Sequence, residues 1–197
     1  MWQLEGKVKR ILVVILVLFF GCSTPSKKSV DIPNFNSSKA FTYLVKQCEF
    51  GPRNPGSSGH LEFSNYLEGF LNQLDGNVII QEFIYTEPIT SMERNGKNLI
   101  IQFNEDAEYR LLLGAHWDTR SLSDQDEVVD NQSLPVLGAN DGASGTSVLM
   151  ELSTIISEKN PEIGIDIVFF DAEDGGFSGQ PETFALGSRF FAENLPI

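Results

Sequence analysis

Three short segments of the chain place carboxylates or a histidine where a strand is predicted to end. They are Gly114-Ala115-His116-Trp117-Asp118, Gly138-Ala139-Asn140-Asp141-Gly142 and Phe170-Asp171-Ala172-Glu173-Asp174. In open α/β sheets, ligands bind beyond the carboxyl ends of the strands. Zinc takes imidazole and carboxylate ligands, and a neighbouring carboxylate can exchange protons with a substrate. The three segments therefore predict part of a zinc site with an acid/base carboxylate beside it.

His116 and Asp118 follow an apolar run, residues 111–113. Side chains two positions apart in an extended chain lie on the same face. Asp118 is therefore predicted to contact the His116 ring and fix its orientation. An ordinary histidine at a strand end remains the alternative.

The other two segments carry acids only. Asp141 stands at a predicted helix start, where a carboxylate can cap the helix or reach a cation. Glu173 and Asp174 are adjacent acids after a buried strand, and such acids repel unless one binds a cation or holds a proton. The repulsion is relieved if one acid binds a metal ion and the other exchanges protons. The alternatives are a plain helix cap and a solvated acidic turn.

The hydrophobic pattern predicts the elements that position these residues. Apolar residues at helical spacing predict three helices, over 39–48, 58–74 and 142–156. Runs of β-branched and aromatic residues predict four strands, over 78–85, 98–103, 109–113 and 165–170. The polar turn at 104–106 suggests that the second and third strands form a hairpin. Strands that alternate with helices favour an α/β fold.

Composition limits the class of partner. The 197 residues suit one domain, and 41% are apolar, enough for a sizeable core. With 27 acidic and 14 basic residues, the net charge is -13. Because binding to phosphates needs clustered cations, this balance argues against a nucleic-acid partner. Peptides, cations or metal ions fit it better.

The first 22 residues read as a secretory signal. Basic residues precede the apolar run 11–20, which as a helix rises only about 15 Å, half of a bilayer core. Gly21-Cys22 then resembles a bacterial lipobox, although Phe19 stands where Leu is usual. We therefore expect a lipid on Cys22, with an ordinary signal peptide as the alternative. The lipid would anchor the protein in the bacterial cell envelope, facing the periplasm or the exterior.

The expected organisation has three parts. Residues 1–22 are the signal, 23–38 are a flexible tether rich in Ser, Lys, Pro and Asn, and 39–197 are the N-terminal part of a catalytic domain.

Five motifs in order carry a family resemblance. They are residues 50–53 (Phe-Gly-Pro-Arg), 114–120, 137–145, 168–174 and 186–189 (Leu-Gly-Ser-Arg). Together they resemble the zinc-dependent aminopeptidase and glutaminyl cyclase superfamily, most nearly the bacterial glutaminyl-peptide cyclotransferases. The resemblance implies an α/β three-layer sandwich around a mixed, mostly parallel sheet.

The resemblance also assigns roles residue by residue. Asp141 and Asp174 match metal-binding positions, with Asp174 standing where many relatives have Glu, and Glu173 matches the catalytic acid/base. His116 matches a ligand of the second metal in two-zinc aminopeptidases and stays off the metal in single-zinc cyclases. The family's last zinc ligand is a His beyond the 186–189 motif, with an active-site Asp between them. Neither has a counterpart in the 197 residues, so we expect a truncated member whose sheet is incomplete at the C-terminus.

The resemblance implies an activity with alternatives. A glutaminyl-peptide cyclotransferase converts an N-terminal glutamine of a peptide or protein to pyroglutamate and releases ammonia, using one zinc ion. An aminopeptidase of the same superfamily would use two zinc ions. A third reading is a lipid-anchored remnant without turnover.

Overall fold

A computed structural model describes residues 32–159 and 161–196. Every element below belongs to the compact unit Asn34–Ile197. The predicted signal, Cys22 and residues 23–31 of the predicted tether lie outside the described residues. The first helix begins at Ser37, so the last two residues of the predicted tether are helical.

The described residues form four α-helices and four strands. In chain order they are α1 (Ser37–Glu49), α2 (Ser58–Leu71), β1 (Asn77–Thr86), β2 (Glu93–Phe103), β3 (Arg110–His116), α3 (Ala143–Lys159), β4 (Gly164–Phe170) and α4 (Leu186–Glu193). Two short 3-10 turns lie at Val129–Asn131 and Pro181–Thr183. All seven predicted elements are present, and α4 is the one that the hydrophobic pattern did not predict. No helix of residues 32–159 and 161–196 has the length and hydropathy to cross a membrane.

Local sequence explains where α2 begins and which face it buries. The Ser57 side chain accepts a hydrogen bond from the backbone N–H of His60, as an N-cap does. Phe63, Leu67 and Leu71 recur every four residues and are fully buried. That spacing places them along one side of the helix, so they form its contact with the sheet.

The strand order of the sheet is β1-β2-β4-β3. β2 pairs antiparallel with β1 and with β4, while β3 pairs parallel with β4. β4 lies between two strands and is buried on both faces until its last residue, Phe170, as its continuous apolar sequence predicts. Because β3 and β4 are parallel, their carboxyl ends meet at one edge of the sheet.

The predicted hairpin between β2 and β3 is wrong, because β4 lies between them. The turn at 104–106 is held instead by the segment before β4: the Asn104 side chain donates to the carbonyls of Pro161 and Glu162. Arg110 at the start of β3 binds Asp166 of β4, with Nη2 and Oδ1 2.6 Å apart. The hairpin in the sheet is β1–β2, which pair along their whole length.

Helices cover both faces of the sheet, which gives three layers. The larger apolar cluster joins one face to α2 and α3 through Phe63, Leu67, Met150, Leu99 and Phe169. A smaller cluster joins the other face to α4 through Ile100, Val168 and Phe191. The predicted α/β class with a mixed central sheet is confirmed; among the described strands, two pairings are antiparallel and one is parallel.

Candidate active site

The parallel pair β3–β4 brings two of the three predicted segments together. His116 at the end of β3 is in register with Phe170 at the end of β4. The pairing continues one residue further, since the backbone N–H of Trp117 donates to the Phe170 carbonyl at 3.0 Å. The acids at 171–174 therefore begin beside His116, at the edge where α/β sheets bind ligands.

Asp118 is fully buried and joins these two segments. Its Oδ1 lies 3.3 Å from Nδ1 of His116, so the contact predicted from their spacing is present. Its carboxylate also accepts hydrogen bonds from the backbone N–H groups of Glu173, at 3.1 Å, and Asp174, at 3.2 Å. One carboxylate thus fixes the imidazole and the turn that carries both neighbouring acids.

The third segment reaches the site through Asp141. Its Oδ1 lies 2.8 Å from Nε2 of His116, which places the imidazole between two carboxylates. Burial acts to lower the pKa of His116, but Asp118 and Asp141 outweigh it and raise that pKa to about 9. The Asp141 side chain is 67% exposed and pairs with His116 rather than with a helix N–H. It is therefore not a plain helix cap.

A tight turn after β4 sets the position of Glu173. Ala172 has a left-handed backbone with φ 57°, which reverses the chain just before Glu173. Ser188 of α4 then holds the carboxylate, with its N–H 2.7 Å from Oε1 and its hydroxyl 3.2 Å from Oε2. Burial raises the pKa of Glu173 in spite of these hydrogen bonds. A half-buried carboxyl of this kind is suited to exchanging protons.

Asp174 lies in a different environment from its neighbour. No hydrogen-bond donor of residues 32–159 or 161–196 reaches its carboxylate. Burial, and then the charges of Asp141 and Asp118, raise the pKa of Asp174 to about 6. The two adjacent acids thus lie in different surroundings. Glu173 is held by Ser188, whereas Asp174 faces like charges that a cation would neutralise.

A cavity of about 570 Å³ opens beside Asp174. Its other walls come from the loop after β3 and from the segment between β4 and α4: Arg120, Asp124, Gln125, Ser178, Gly179, Pro181 and Phe184. Arg120 braces the cavity, because its guanidinium donates to the carbonyls of Asp174 and Gly176 and pairs with Asp124. This volume is in the range of small-ligand sites.

Two residues that contact the segments of the site have no role assigned from the sequence. One is His60 of α2, whose Nε2 lies 2.8 Å from Oδ1 of the fully buried Asp171 and whose ring packs on Trp117 at 4.5 Å. Ser188 was part of a motif without an assigned role. No local pattern marks either contact, since their partners are 111 and 15 residues away.

The donor types suit zinc. Asp141 and Asp174 offer carboxylate oxygens, and His116 offers an imidazole nitrogen. Burial, and then the charges of Asp141 and Asp118, raise the pKa of Asp174, and a cation bound there would favour its ionised form. Across residues 32–159 and 161–196, no three His, Cys, Asp or Glu side chains are already arranged around a common metal position.

The family follows from a comparison with known proteins. Residues 98–196, about half of the chain, match the model of peptidase family M28. The chain belongs to that family. This M28 chain is 39% identical to the glutaminyl cyclase of Tannerella forsythia, with a TM-score of 0.78 over 81% of this chain and 56% of the other. It is 37% identical to a Zn-dependent exopeptidase from Parabacteroides distasonis, with a TM-score of 0.80 over 84% and 58%.

A curated relative is similar to the chain at lower identity. The glutaminyl-peptide cyclotransferase of Bos taurus is 23% identical over 153 residues, which are 73% of this M28 chain and 41% of the bovine protein. The chain thus spans about two fifths of that relative and just over half of the two solved structures. The predicted superfamily, and the closeness to bacterial glutaminyl cyclases, are confirmed.

Proposed function

We propose that the chain carries the catalytic carboxylate and two metal ligands of a zinc-dependent glutaminyl-peptide cyclotransferase. Its reaction converts an N-terminal glutamine of a peptide or protein to pyroglutamate and releases ammonia. The observation that carries the proposal is the 39% identity to a bacterial glutaminyl cyclase over 81% of this chain. The separation of Glu173 from Asp174 supports it, because the reaction needs one acid for protons and another for the metal.

Each residue has a task in this reaction. Asp141 and Asp174 would hold zinc, which when bound supplies Lewis-acid polarisation of the substrate's side-chain amide carbonyl. Glu173 takes a proton from the attacking α-amine and returns one to the departing nitrogen. Ser188 holds both Glu173 oxygens, so the carboxylate stays oriented through both transfers.

His116 decides how many metal ions the site takes. Its Nε2 already contacts Asp141 and its Nδ1 contacts Asp118. A single-zinc cyclase needs no change in that arrangement. An aminopeptidase with a second zinc requires Nε2 to leave Asp141 for the metal.

Aminopeptidase action is the second candidate, and the Zn-dependent exopeptidase of Parabacteroides distasonis favours it. The test supplies zinc to the full chain and measures ammonia release from Gln-peptides and hydrolysis of Leu-anilides. We expect the first activity without the second, and its loss in Glu173→Gln. Hydrolysis alone, with two zinc ions by elemental analysis, supports the aminopeptidase. If neither activity is found, both enzyme proposals fail and the non-catalytic remnant remains.

The proposed location rests on sequence alone. We propose that the lipid on Cys22 anchors the protein in the bacterial cell envelope, where it meets peptide and protein N-termini. Detergent partitioning of the expressed chain tests this, with Cys22→Ser as the control. We expect the native chain in the detergent phase and the variant in the aqueous phase. An aqueous native chain would contradict the anchor.

A further inference from the structure

Arg53, in the loop between α1 and α2, is a buried cation that forms no salt bridge with a carboxylate of the described residues. Its side chain is fully buried. Buried charges in proteins are normally paired with an opposite charge. No carboxylate of residues 32–159 or 161–196 lies within ion-pair distance of its guanidinium. The guanidinium N–H groups donate instead to five backbone carbonyls, those of Gln47, Gly51, Trp117, Leu137 and Gly138.

The three shortest of these contacts go to two segments of the candidate active site. Nε donates to the Trp117 carbonyl at 3.0 Å. Nη2 and Nη1 donate to the carbonyls of Gly138, at 2.9 Å, and Leu137, at 3.1 Å. The contacts with α1 and its following turn are longer, at 3.4 Å each. The guanidinium thus bridges the segment that carries His116 and Asp118 to the loop that carries Asp141.

The bridged segments approach more closely than side chains permit. Gly142 has φ +89°, and a Cβ there would lie 2.6 Å from the carbonyl oxygen of Asp118. Gly138 has φ +65°, and a Cβ there would meet the Thr119 side chain. Arg53 joins this contact with its backbone as well, since its N–H donates to Thr119 Oγ1 at 2.9 Å. Carbonyl groups from both of these stretches of backbone converge on the Arg53 guanidinium.

Those carbonyls need donors in a fixed geometry. Buried carbonyls without a hydrogen bond are costly, and several that converge repel one another. A planar guanidinium offers five N–H groups at fixed angles, whereas the ammonium of Lys offers three from one atom. An apolar side chain offers none. Only Arg at position 53 can satisfy both segments at once.

We propose that Arg53 is a positioning residue that sets the place of Asp141 relative to His116 and Asp118. It acts by fastening residues 137–138 to the end of β3, and it touches neither substrate nor metal. The metal part of this inference rests on the proposed function. The positional part rests on the backbone contacts alone, so the two can fail separately.

The test compares Arg53→Met and Arg53→Lys with Arg110→Met in the full chain. Arg110 pairs with Asp166 at the opposite end of β3, so its loss destabilises the fold without touching the site. The first readout is hydrogen exchange of the backbone amides of Thr119 and Ala143. The Thr119 N–H donates to the Arg53 carbonyl, and the Ala143 N–H donates to the Gly138 carbonyl. We expect at least ~10-fold faster exchange there in Arg53→Met, an intermediate effect in Arg53→Lys, and no local change in Arg110→Met.

The second readout is zinc affinity, measured by competition with a chelator. We expect a loss of about 10–100-fold in the Arg53 variants and none in Arg110→Met, the range found when groups that orient ligands are removed. If the native chain binds no zinc, the proposed metal site fails, and exchange alone decides the role of Arg53. If the Arg53 variants match Arg110→Met in both readouts, the positioning role is overturned. Should Arg53→Met not fold, Arg53→Lys carries both readouts.

Discussion

At the level of single residues, Asp118 connects more of the site than any acid that would touch substrate. Its carboxylate meets His116 and the N–H groups of Glu173 and Asp174. Asp118→Asn keeps the shape but turns an NH₂ group toward N–H donors. We expect a loss of about 1–3 kcal/mol in the free energy of unfolding, and zinc affinity about 10–100-fold weaker.

Urea unfolding and chelator competition measure these two effects. Asp124→Asn is the control, since Asp124 pairs with Arg120 near the surface and we expect a change below about 1 kcal/mol. An Asp118→Asn variant as stable as the native chain would show that the buried carboxylate does not organise the turn.

The contrast between Asp118 and Ser188 shows what a sequence can predict about a site. The pairing of Asp118 with His116 followed from a spacing of two in an extended chain, which is a local rule. Ser188 reaches Glu173 only because α4 folds back across the sheet, and no local pattern encodes that path. Arg53 was visible only as part of a motif. Its role depends on carbonyls 64 and 85 residues away.

At the level of elements, Glu87 joins the turn of the β1–β2 hairpin to the loop after β3. Its buried carboxylate accepts hydrogen bonds from Thr90, Arg94 and Ser121. Burial acts to raise the pKa of Glu87, but these hydrogen bonds outweigh it and lower that pKa below its ordinary value. The unfolded chain therefore takes up the proton first as the pH falls, so this contribution to stability is lost on acidification.

Glu87→Gln tests this linkage. The contribution is complete above the unfolded pKa of roughly 4.3, and it disappears as the pH falls through the folded value. Urea unfolding should show the native chain more stable than the variant at pH 7, with the difference shrinking below about pH 4.5. A difference that stays constant as the pH falls well below about 4 would contradict an ionised Glu87.

The loop before α3 depends on a glycine that the fold cannot replace. Gly142 combines φ +89° with a close approach to the Asp118 carbonyl. We expect Gly142→Ala to cost more than about 1–2 kcal/mol, because a left-handed backbone alone costs a side chain that much. Gly69→Ala is the matched control, since Gly69 lies in α2 with open space around it and alanine favours helix by roughly 0.5–1 kcal/mol. Thermal unfolding separates the two, and an equal effect of both changes would remove the steric argument.

The elements themselves were more predictable than their pairing. Seven of them followed from periodicity and apolar runs, because those patterns are local. The hairpin prediction was wrong because β2 and β3 are neighbours in the chain but do not pair in the sheet. Asn104, just after β2, and Arg110, at the start of β3, instead bind residues just before β4 and within it. Long-range contacts of this kind cannot be recognised from a short stretch of sequence.

At the level of the whole molecule, the two faces of the sheet are packed unequally, and the weaker one holds Glu173, the proposed catalytic carboxylate. The face against α2 and α3 carries the larger apolar cluster, while α4 is fixed mainly by Phe191 and by Phe190, whose ring stacks on Phe83 at 4.9 Å. The N–H groups of Ala185 and Ser188 bind Glu173 from this layer. We therefore expect opening of α4 to release Glu173 while the main core stays folded.

Hydrogen exchange in Phe191→Ala measures that coupling. We expect the amides of Ala185, Leu186 and Ser188 to exchange faster by a larger factor than those of β4, because losing Phe191 weakens the local layer before the global fold. Phe63→Ala in the larger cluster should instead lower protection everywhere, through a global cost of about 3–5 kcal/mol. If Phe191→Ala speeds both sets equally, α4 and the main core open as one unit. The position of Glu173 would then depend on global stability rather than on the layer that holds it.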